Sequence, residues 1–493
     1  MKYFLAILSG TLLGLPFYKA ELFFLAWIGL VPFLFSLAEE NKKESFFLGW
    51  LMGLTFFGIG GKWIIYPLLD FSGLPIVVVL LVFVLALFIL ATFLGLFAII
   101  LKLLEARFNL HYLLLVPVSW TAIEYLRTIF SFSYLFGFLG YSQSLLPELI
   151  QLAEYGGVYL VTFIIVIVNT LLFLAIKEKK AHYILISLLI VGLVFYQGSS
   201  KLAQPVAEKG ELAVGIIQPN IPQQIKMDPA YQDLIAERLL ELSNHEIEEN
   251  SPDLLIWPET AILRTYNEEQ KIPFDFIEET PLFFGGFIRS SEGNLNSSFL
   301  ADADGNIMTS YSKMNLVPFG EYTPFAEVIP DSMLGNLNNL VPGIEKEKFV
   351  FNDFSWVSPI CSEILNSSLV RSLDPGSDLL ITIANEAWFG KSNLPFQMIQ
   401  ATIFRAVEHN FPIIKVGNTG ISAVVSNQGE ILTKTETFKR DSKTFDLTIP
   451  TRKTTLYHKY GDLFGLISLV VTLILVGVIC FERFNAHYIT KEK

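Results

Sequence analysis

Cys361 closes the apolar run of FSWVSPICSEIL, two residues before Glu363. It is one of only two cysteines in the chain, the other being Cys480. A thiol at the end of a strand-like run, on a turn toward a helix, is a common nucleophile placement in layered α/β enzymes. A free thiol titrates near ~8.5 and is little ionised at neutral pH, so it needs a base. Histidine is the usual helper. His409 is one candidate, although no local spacing links it to Cys361. Two further stretches set polar groups among apolar ones. Leu254-Leu255-Ile256-Trp257 runs through Pro258 into Glu259 and is followed by Ala261 and Ile262, which favours an enclosed carboxylate over a solvated strand end. Lys313 shares its neighbourhood with Tyr311, Pro318, Phe319, Tyr322 and Pro324, unlike the usual solvated loop lysine. By cysteine count alone, Cys361 is either a buried inert thiol or one that is chemically used.

The elements that must position these groups divide by hydropathy. The chain is 52% hydrophobic, with 43 phenylalanines, well beyond an ordinary soluble composition. Its long apolar runs fall in 1–200 and 461–482, while 201–460 has the charges, turns and short strands of a water-facing domain. Eight spans are read, at 2–18, 22–38, 45–66, 74–101, 112–138, 158–176, 182–197 and 463–482, each near the ~20 residues that cross a bilayer. Lys2 before the first apolar run would also suit a signal peptide, but no small-x-small cleavage site follows and a second span comes at once. With the N-terminus inside, the inner loops and tails carry Lys2, Lys42, Lys43, Lys102, Arg107, Lys177, Lys179, Lys180, Arg483, Lys491 and Lys493, and the short outer loops little beyond Lys19. The excess of inner positive charge sets the direction. It places 201–460 outside, away from Cys480 at the inner end of the last span.

Composition also excludes. A formal net charge of -12 gives no footprint for nucleic acid. The six histidines are scattered and no Cys-x-x-Cys or His-x-x-x-His spacing occurs, so neither a metal nor another cofactor is expected.

Taken together, WPE around Glu259, K-x-x-LVPFGEY from Lys313, IC-x-E around Cys361 and N-x-AWFG from Asn385 resemble the apolipoprotein N-acyltransferase family, a membrane-bound branch of the nitrilase superfamily. DFSGLP (70–75), IEYLR (123–127), LGYSQ (139–143) and GGVYLVTF (156–163) resemble that family's membrane segments, so the likeness spans nearly the whole chain. Ser362, Glu386, Met227 and Met398 depart from the family pattern, where tyrosine, aspartate, tryptophan and histidine are usual. The resemblance implies a four-layer αββα sandwich joined to a helical transmembrane bundle. The local reading agrees. LAVGIIQ, DLLIWPE, LFFGGFI, SSFLADADGNI, DLLITIAN, PIIKVGN and ISAVVSNQGEI read as strands, with DADGN and SNQGE as hairpin turns, and PFQMIQATIFRAVEHN reads as an amphipathic helix.

The resemblance further implies a Glu259-Lys313-Cys361 triad. Glu259 is the general base, Cys361 the nucleophile and Lys313 the oxyanion's charge partner. The acyl donor is a phospholipid, chiefly phosphatidylethanolamine, and the acceptor is the amine of diacylglyceryl-cysteine on an apolipoprotein. The chain is then a multi-pass protein of the bacterial inner membrane with a periplasmic catalytic domain. Glu321 and Glu363 are supporting candidates, each also readable as a structural ion pair. Trp388, Asn385, Phe389 and Tyr322 are candidates for the substrate pocket, with core packing the alternative for Trp388. Residues 329–343 and 388–396 have the apolar-and-turn character of membrane-dipping arms, or of loops packed down. Glu124 and Arg127, at i and i+3 in a span, suit a structural pair, with a direct lipid-headgroup contact the alternative. A membrane-tethered amidase using water would share the triad chemistry but needs one tether, not seven spans. A transporter or scaffold would need no triad.

Overall fold

The computed structural model describes residues 1–37, 40–107, 112–129, 135–266, 272, 280–318, 320–323 and 340–491, with side chains to 485. The chain divides into two compact units. One comprises Met1–Ile65, Leu74–Gln204 and Thr455–Lys493, and the other Tyr66–Gly73 with Pro205–Thr454.

The first unit is helical. Four helices are long and apolar enough to cross a membrane: Ile76–Glu105, Ala153–Glu178, His182–Leu202 and Leu463–Asn485. A fifth is counted if Lys42–Gly60 and Lys62–Phe71, bent by 63°, form one broken span. The intervals 2–18 and 22–38 are apolar but do not hold single long helices. Pro16 starts a short 3-10 turn after Lys2–Gly14, and Ala20–Trp27 is 3-10 before Pro32 opens Val31–Ser36. The interval 112–138 contributes the helix Tyr112–Ile129, with Pro117 inside it, and continues outside the described residues. Small residues bring helices together: a Cβ on Gly53 would lie 2.7 Å from the Ala91 Cα of the neighbouring helix. Glu124 is buried and accepts hydrogen bonds from Trp120 Nε1 (3.1 Å), Leu139 N (2.8 Å) and Thr162 Oγ1 (2.9 Å). Arg127 lies over the rings of Phe57 and Phe138.

The second unit is built on strands β1 (Glu208–Gln218), β2 (Leu254–Ile256), β3 (Thr265–Tyr266), β4 (Leu282–Arg289), β5 (Asn294–Ala301), β6 (Ile307–Ser312), β7 (Phe349–Phe351), β8 (Phe354–Val357), β9 (Leu379–Ala384), β10 (Ile413–Gly417), β11 (Ala423–Val425), β12 (Ile431–Lys434) and β13 (Asp441–Pro450). Among the described residues, one sheet runs β13-β1-β2-β4-β5-β6, with β3 beside β4, and the other β12-β11-β10-β9-β8-β7. The central pairs β1–β2, β2–β4, β8–β9 and β9–β10 are parallel. Parallel strands need cover on both faces, and β9 and β10 are buried at every residue. On the outer face of the first sheet, Ile235 and Leu239 of the helix Gln232–Asn250 pack with Leu255, Trp257, Phe284 and Phe299. On the inner face, Phe283 of β4 meets Phe349 and Trp356 of the second sheet edge-on, with ring centres 5.0 and 5.7 Å apart. The helix Leu394–His409 covers the second sheet, completing the α-β-β-α order.

Both expected hairpin turns form, closed by Asp302 N to Asn306 O (3.0 Å) and Ser426 N to Glu430 O (2.8 Å). The helix Leu394–His409 corrects the amphipathic expectation: it is buried on all sides, and its charged residues Arg405 and Glu408 pair with each other at 2.9 Å.

Candidate active site

Glu259, Lys313 and Cys361 leave the C-terminal ends of β2, β6 and β8, so one sheet supplies the two charges and the other the sulfur. Strand ends suit this task, because the hydrogen-bonded ladder fixes the backbone up to the last residue and the turn then aims the side chain.

Cys361 has φ +54°, a left-handed backbone that costs a residue with a Cβ about 1 kcal/mol or more. The elbow persists because its surroundings fix it. Thr382 Oγ1 on β9 donates to the Pro359 carbonyl (2.7 Å), and the Glu363 carboxylate reaches back to Ile360 N (2.8 Å). Cys361 is half-buried. Burial raises its pKa well above the ordinary thiol range; the carboxylate of Glu259 adds to the rise and Lys313 opposes it.

Glu259 stands on a second strained turn, since Thr260 has φ +43°. The turn lies against β4 at Gly285, where an added Cβ would fall 2.7 Å from the Glu259 Cα. Only a glycine admits so close a backbone. One carboxylate oxygen accepts from Asn296 Nδ2 (2.7 Å) and lies 3.8 Å from Lys313 Nζ; the other accepts from Asn385 N (2.7 Å). Lys313 is buried and pairs with Glu321 at 2.8 Å. Burial lowers its pKa, but the charges of Glu321, Glu259 and Cys361 outweigh that and raise it, so it stays an ammonium. Asn296 Nδ2 also reaches Glu321 (3.1 Å), so one amide spans both carboxylates.

Glu363 is buried and fully engaged by donors. Its oxygens accept from Tyr311 Oη, Met314 N, Asn315 N and Ile360 N at 2.8 to 3.1 Å. It therefore ties the loop carrying Lys313 to the elbow carrying Cys361. Burial raises its carboxyl to about 6, against the pull of Lys313 and the main-chain donors.

The pocket candidates separate. Asn385 orients Glu259 through its main chain, and its buried amide is engaged with Gln223 Oε1 and Asn418 Nδ2, both at 2.9 Å. Trp388 is half-buried and packs edge-on against Phe71 at 4.7 Å. Phe389 and Tyr322 are also half-buried, the latter bridged to Pro318. The segment 388–396 is a 3-10 turn leading into Leu394–His409, while 329–339 lie outside the described residues. Glu386 pairs with Lys415, Met398 is buried, and Met227 is exposed. His409 turns Nδ1 toward Asp374 (3.7 Å) and stacks on Phe411, whereas the charges felt by Cys361 are those of Glu259, Lys313, Glu386 and Glu321.

Sequence reasoning missed Lys226. It ends the single helical turn Gln223–Lys226, is 2% exposed, and donates from Nζ to the Glu259 carbonyl oxygen at 2.8 Å. Its place in QQIKMD reads as an ordinary surface lysine.

Residues 9–171 match the family described as apolipoprotein N-acyltransferase N-terminal domain, and residues 214–456 match carbon-nitrogen hydrolase. The apolipoprotein N-acyltransferase of Geobacter metallireducens is 30% identical over 509 residues, covering 99% of this chain and 96% of its own. That of Pasteurella multocida is 30% identical, covering 98% and 96%. Apolipoprotein N-acyltransferase 1 of Treponema denticola is 26% identical, covering 94% and 92%.

Proposed function

The chain belongs to the apolipoprotein N-acyltransferase family, and from that premise we infer how its residues carry the transfer. It is an acyltransferase that N-acylates lipoproteins. The acyl donor is a phospholipid, chiefly the sn-1 chain of phosphatidylethanolamine, and the acyl group passes through a thioester on Cys361.

In the first half-reaction Glu259 takes the thiol proton and Sγ attacks the ester carbonyl. Lys313 faces the oxyanion, a contribution of about 3–4 kcal/mol in a dry site. The tetrahedral intermediate collapses, the C–O bond breaks, and the proton on Glu259 passes to the departing lysophospholipid alkoxide. In the second half-reaction the N-terminal amine of diacylglyceryl-cysteine attacks the thioester carbonyl. Glu259 takes the amine's proton, the C–S bond breaks, an amide forms, and the proton returns to sulfur. The observation that carries this reading is the convergence of Glu259, its carboxylate 3.8 Å from Lys313, with a cysteine held at φ +54°. Exposing a sixteen-carbon chain to water costs roughly 12 kcal/mol, at about 0.8 per methylene, so both substrates are best met at a bilayer.

Membrane placement follows the same reading: a multi-pass protein of the bacterial inner membrane, crossing eight times, with the 205–454 unit periplasmic. The four long apolar helices, five with the bent pair, support membrane placement, the inward bias of lysine and arginine supports its direction, and the count of eight rests on the apolar runs of the sequence. Impermeant thiol reagents added to spheroplasts should label cysteines engineered in 205–454 and miss those at 42–43 or 177–180; the reverse pattern overturns the orientation. The transfer itself is tested by mass spectrometry of a diacylated lipopeptide incubated with protein and phospholipid. The lipopeptide should gain one acyl group. Release of free fatty acid with the lipopeptide unchanged would favour the water-using amidase reading.

A further inference from the structure

Lys226 is a buried ammonium that the reaction above leaves without a task. An ammonium carries three donors, and among the described residues the side chain of Lys226 makes one hydrogen bond, to the main-chain carbonyl of Glu259. A neutral amide would satisfy that carbonyl equally well, whereas burying a charge costs several kcal/mol unless other charges offset it.

Nearby carboxylates supply such charges. Glu321 pairs with Lys313 at 2.8 Å, and Glu386 pairs with Lys415. Glu259 has Lys313 only at 3.8 Å, already bound to Glu321. Lys226 feels Glu259, Cys361 and Glu386, in that order. When the thiol proton moves to Glu259, one negative charge moves from carboxylate to sulfur and the total is unchanged. A cation that acts on both groups, on the carboxylate more than on the sulfur, does not drive that move; it stabilises the negative charge at whichever end holds it. The Glu259–Thr260 turn supplies an independent argument. A β-branched residue at φ +43° persists only where neighbours over-determine it, and the Lys226 bond fastens the turn at its first residue.

We propose that Lys226 is a positioning residue of the acyl-transfer site: its Nζ pins the strained turn that carries Glu259, and its charge backs Glu259 and Cys361 through the proton transfer. The proposal rests on Cys361 as acyl carrier. Burial lowers the Lys226 ammonium to about 8, so it is charged at neutral pH. The other groups around the thiol are Glu259, Glu321, Glu386, Lys313 and Lys415, with Glu363 and Tyr311 behind Lys313.

The test uses the full chain in detergent with Cys480→Ala, so that Cys361 is the single thiol, and follows its alkylation by iodoacetamide against pH by intact mass. Lys226→Gln keeps a donor for the carbonyl and loses the charge. It should alkylate about tenfold more slowly at neutral pH, equivalent to a rise of about one unit at the thiol. The gap should close above the Lys226 pKa, where the parent also loses the charge. Lys226→Arg should restore the parent profile. Lys226→Met should add a slower single-turnover acylation as the Glu259 turn loosens; if it does not fold, the Gln and Arg variants still decide. A Gln variant with a lowered melting temperature but the parent alkylation profile would overturn the proposal. Loss of the parent reading is distinct: there Cys361→Ala still transfers acyl groups.

Discussion

Two of the buried ionic clusters in the 205–454 unit differ in kind, one saturated and one not. Asp374 accepts from Arg452 Nη1 (3.0 Å), Arg452 Nη2 (2.6 Å), Gly376 N (3.0 Å) and Ser377 N (2.7 Å), with His409 Nδ1 at 3.7 Å. Burial works to raise the Asp374 carboxyl, and His409 and Arg452 overcome it and hold it far below the usual range. Burial, opposed by Asp374, lowers His409 to about 4, leaving it neutral at physiological pH. Around Cys361 the balance differs. The backbone is strained at both Cys361 and Thr260, one lysine is shared between two carboxylates, and Cys361 is not fully buried. A saturated cluster stabilises one charge state; a strained, incompletely paired one can move a proton between two. That contrast, rather than the presence of a histidine, separates scaffold from site.

Breaking the two clusters should therefore do different things. The largest effect is expected from Cys361→Ala, which removes the thiol proposed to carry the acyl group; transfer to a lipopeptide should be undetectable in a protein of parent melting temperature. Glu259→Gln comes next. Loss of a general base slows a step by about 10²–10⁴-fold, and single-turnover assays should find both thioester formation and aminolysis slowed. A normal acylation rate would remove Glu259 from that role. In the saturated cluster, Arg452→Met leaves Asp374 buried beside a neutral side chain and should cost about 3–5 kcal/mol of stability, read as a lowered melting temperature with kcat per folded molecule unchanged. A fall in kcat at full stability would erase the contrast between the clusters.

Glu363→Gln probes the link between Lys313 and Cys361. The amide would turn an N–H toward main-chain donors, costing about 1–3 kcal/mol. The pH dependence has a definite sign. The folded carboxyl, near 6, holds its proton more tightly than the unfolded one, so this group's contribution makes stability fall as pH rises from the usual carboxylate range through about 6. The Gln variant should lack that slope. The smallest effect is at Cys480, exposed in the first unit: Cys480→Ala should change neither thioester nor transfer.

Most of the strands, and Glu259, Cys361 and Lys313, were legible because a polar residue at the end of an apolar run, or among aromatics, is a local signal. Leu254–Trp257 before Glu259 and Phe354–Val357 before Cys361 are such ends, and Lys313 lies among aromatics. What was not legible depends on residues far apart in the chain. Lys226 looks solvated until its single helical turn meets the Glu259 carbonyl. The Asn385 side chain looks available until Gln223 and Asn418 take it. Residues 67–73 read as a connection between spans, yet Tyr66 lies against Gly390 and Phe71 against Trp388, so 66–73 group with the sandwich. The spans 2–18 and 22–38 overran their helices because apolar 3-10 turns score like helix, whereas 158–176 and 182–197 fell short of Ala153–Glu178 and His182–Leu202, whose ends are more polar.

The central claim is that Cys361 carries the acyl group. The most direct measurement is intact-protein mass spectrometry after incubation with a phospholipid of defined acyl chains and no acceptor, followed by peptide mapping and hydroxylamine. One added acyl group is expected, mapped to the peptide holding Cys361, released by hydroxylamine and discharged by a diacylated lipopeptide. An acyl group elsewhere, or lipopeptide acylation by the Cys361→Ala protein, would contradict it.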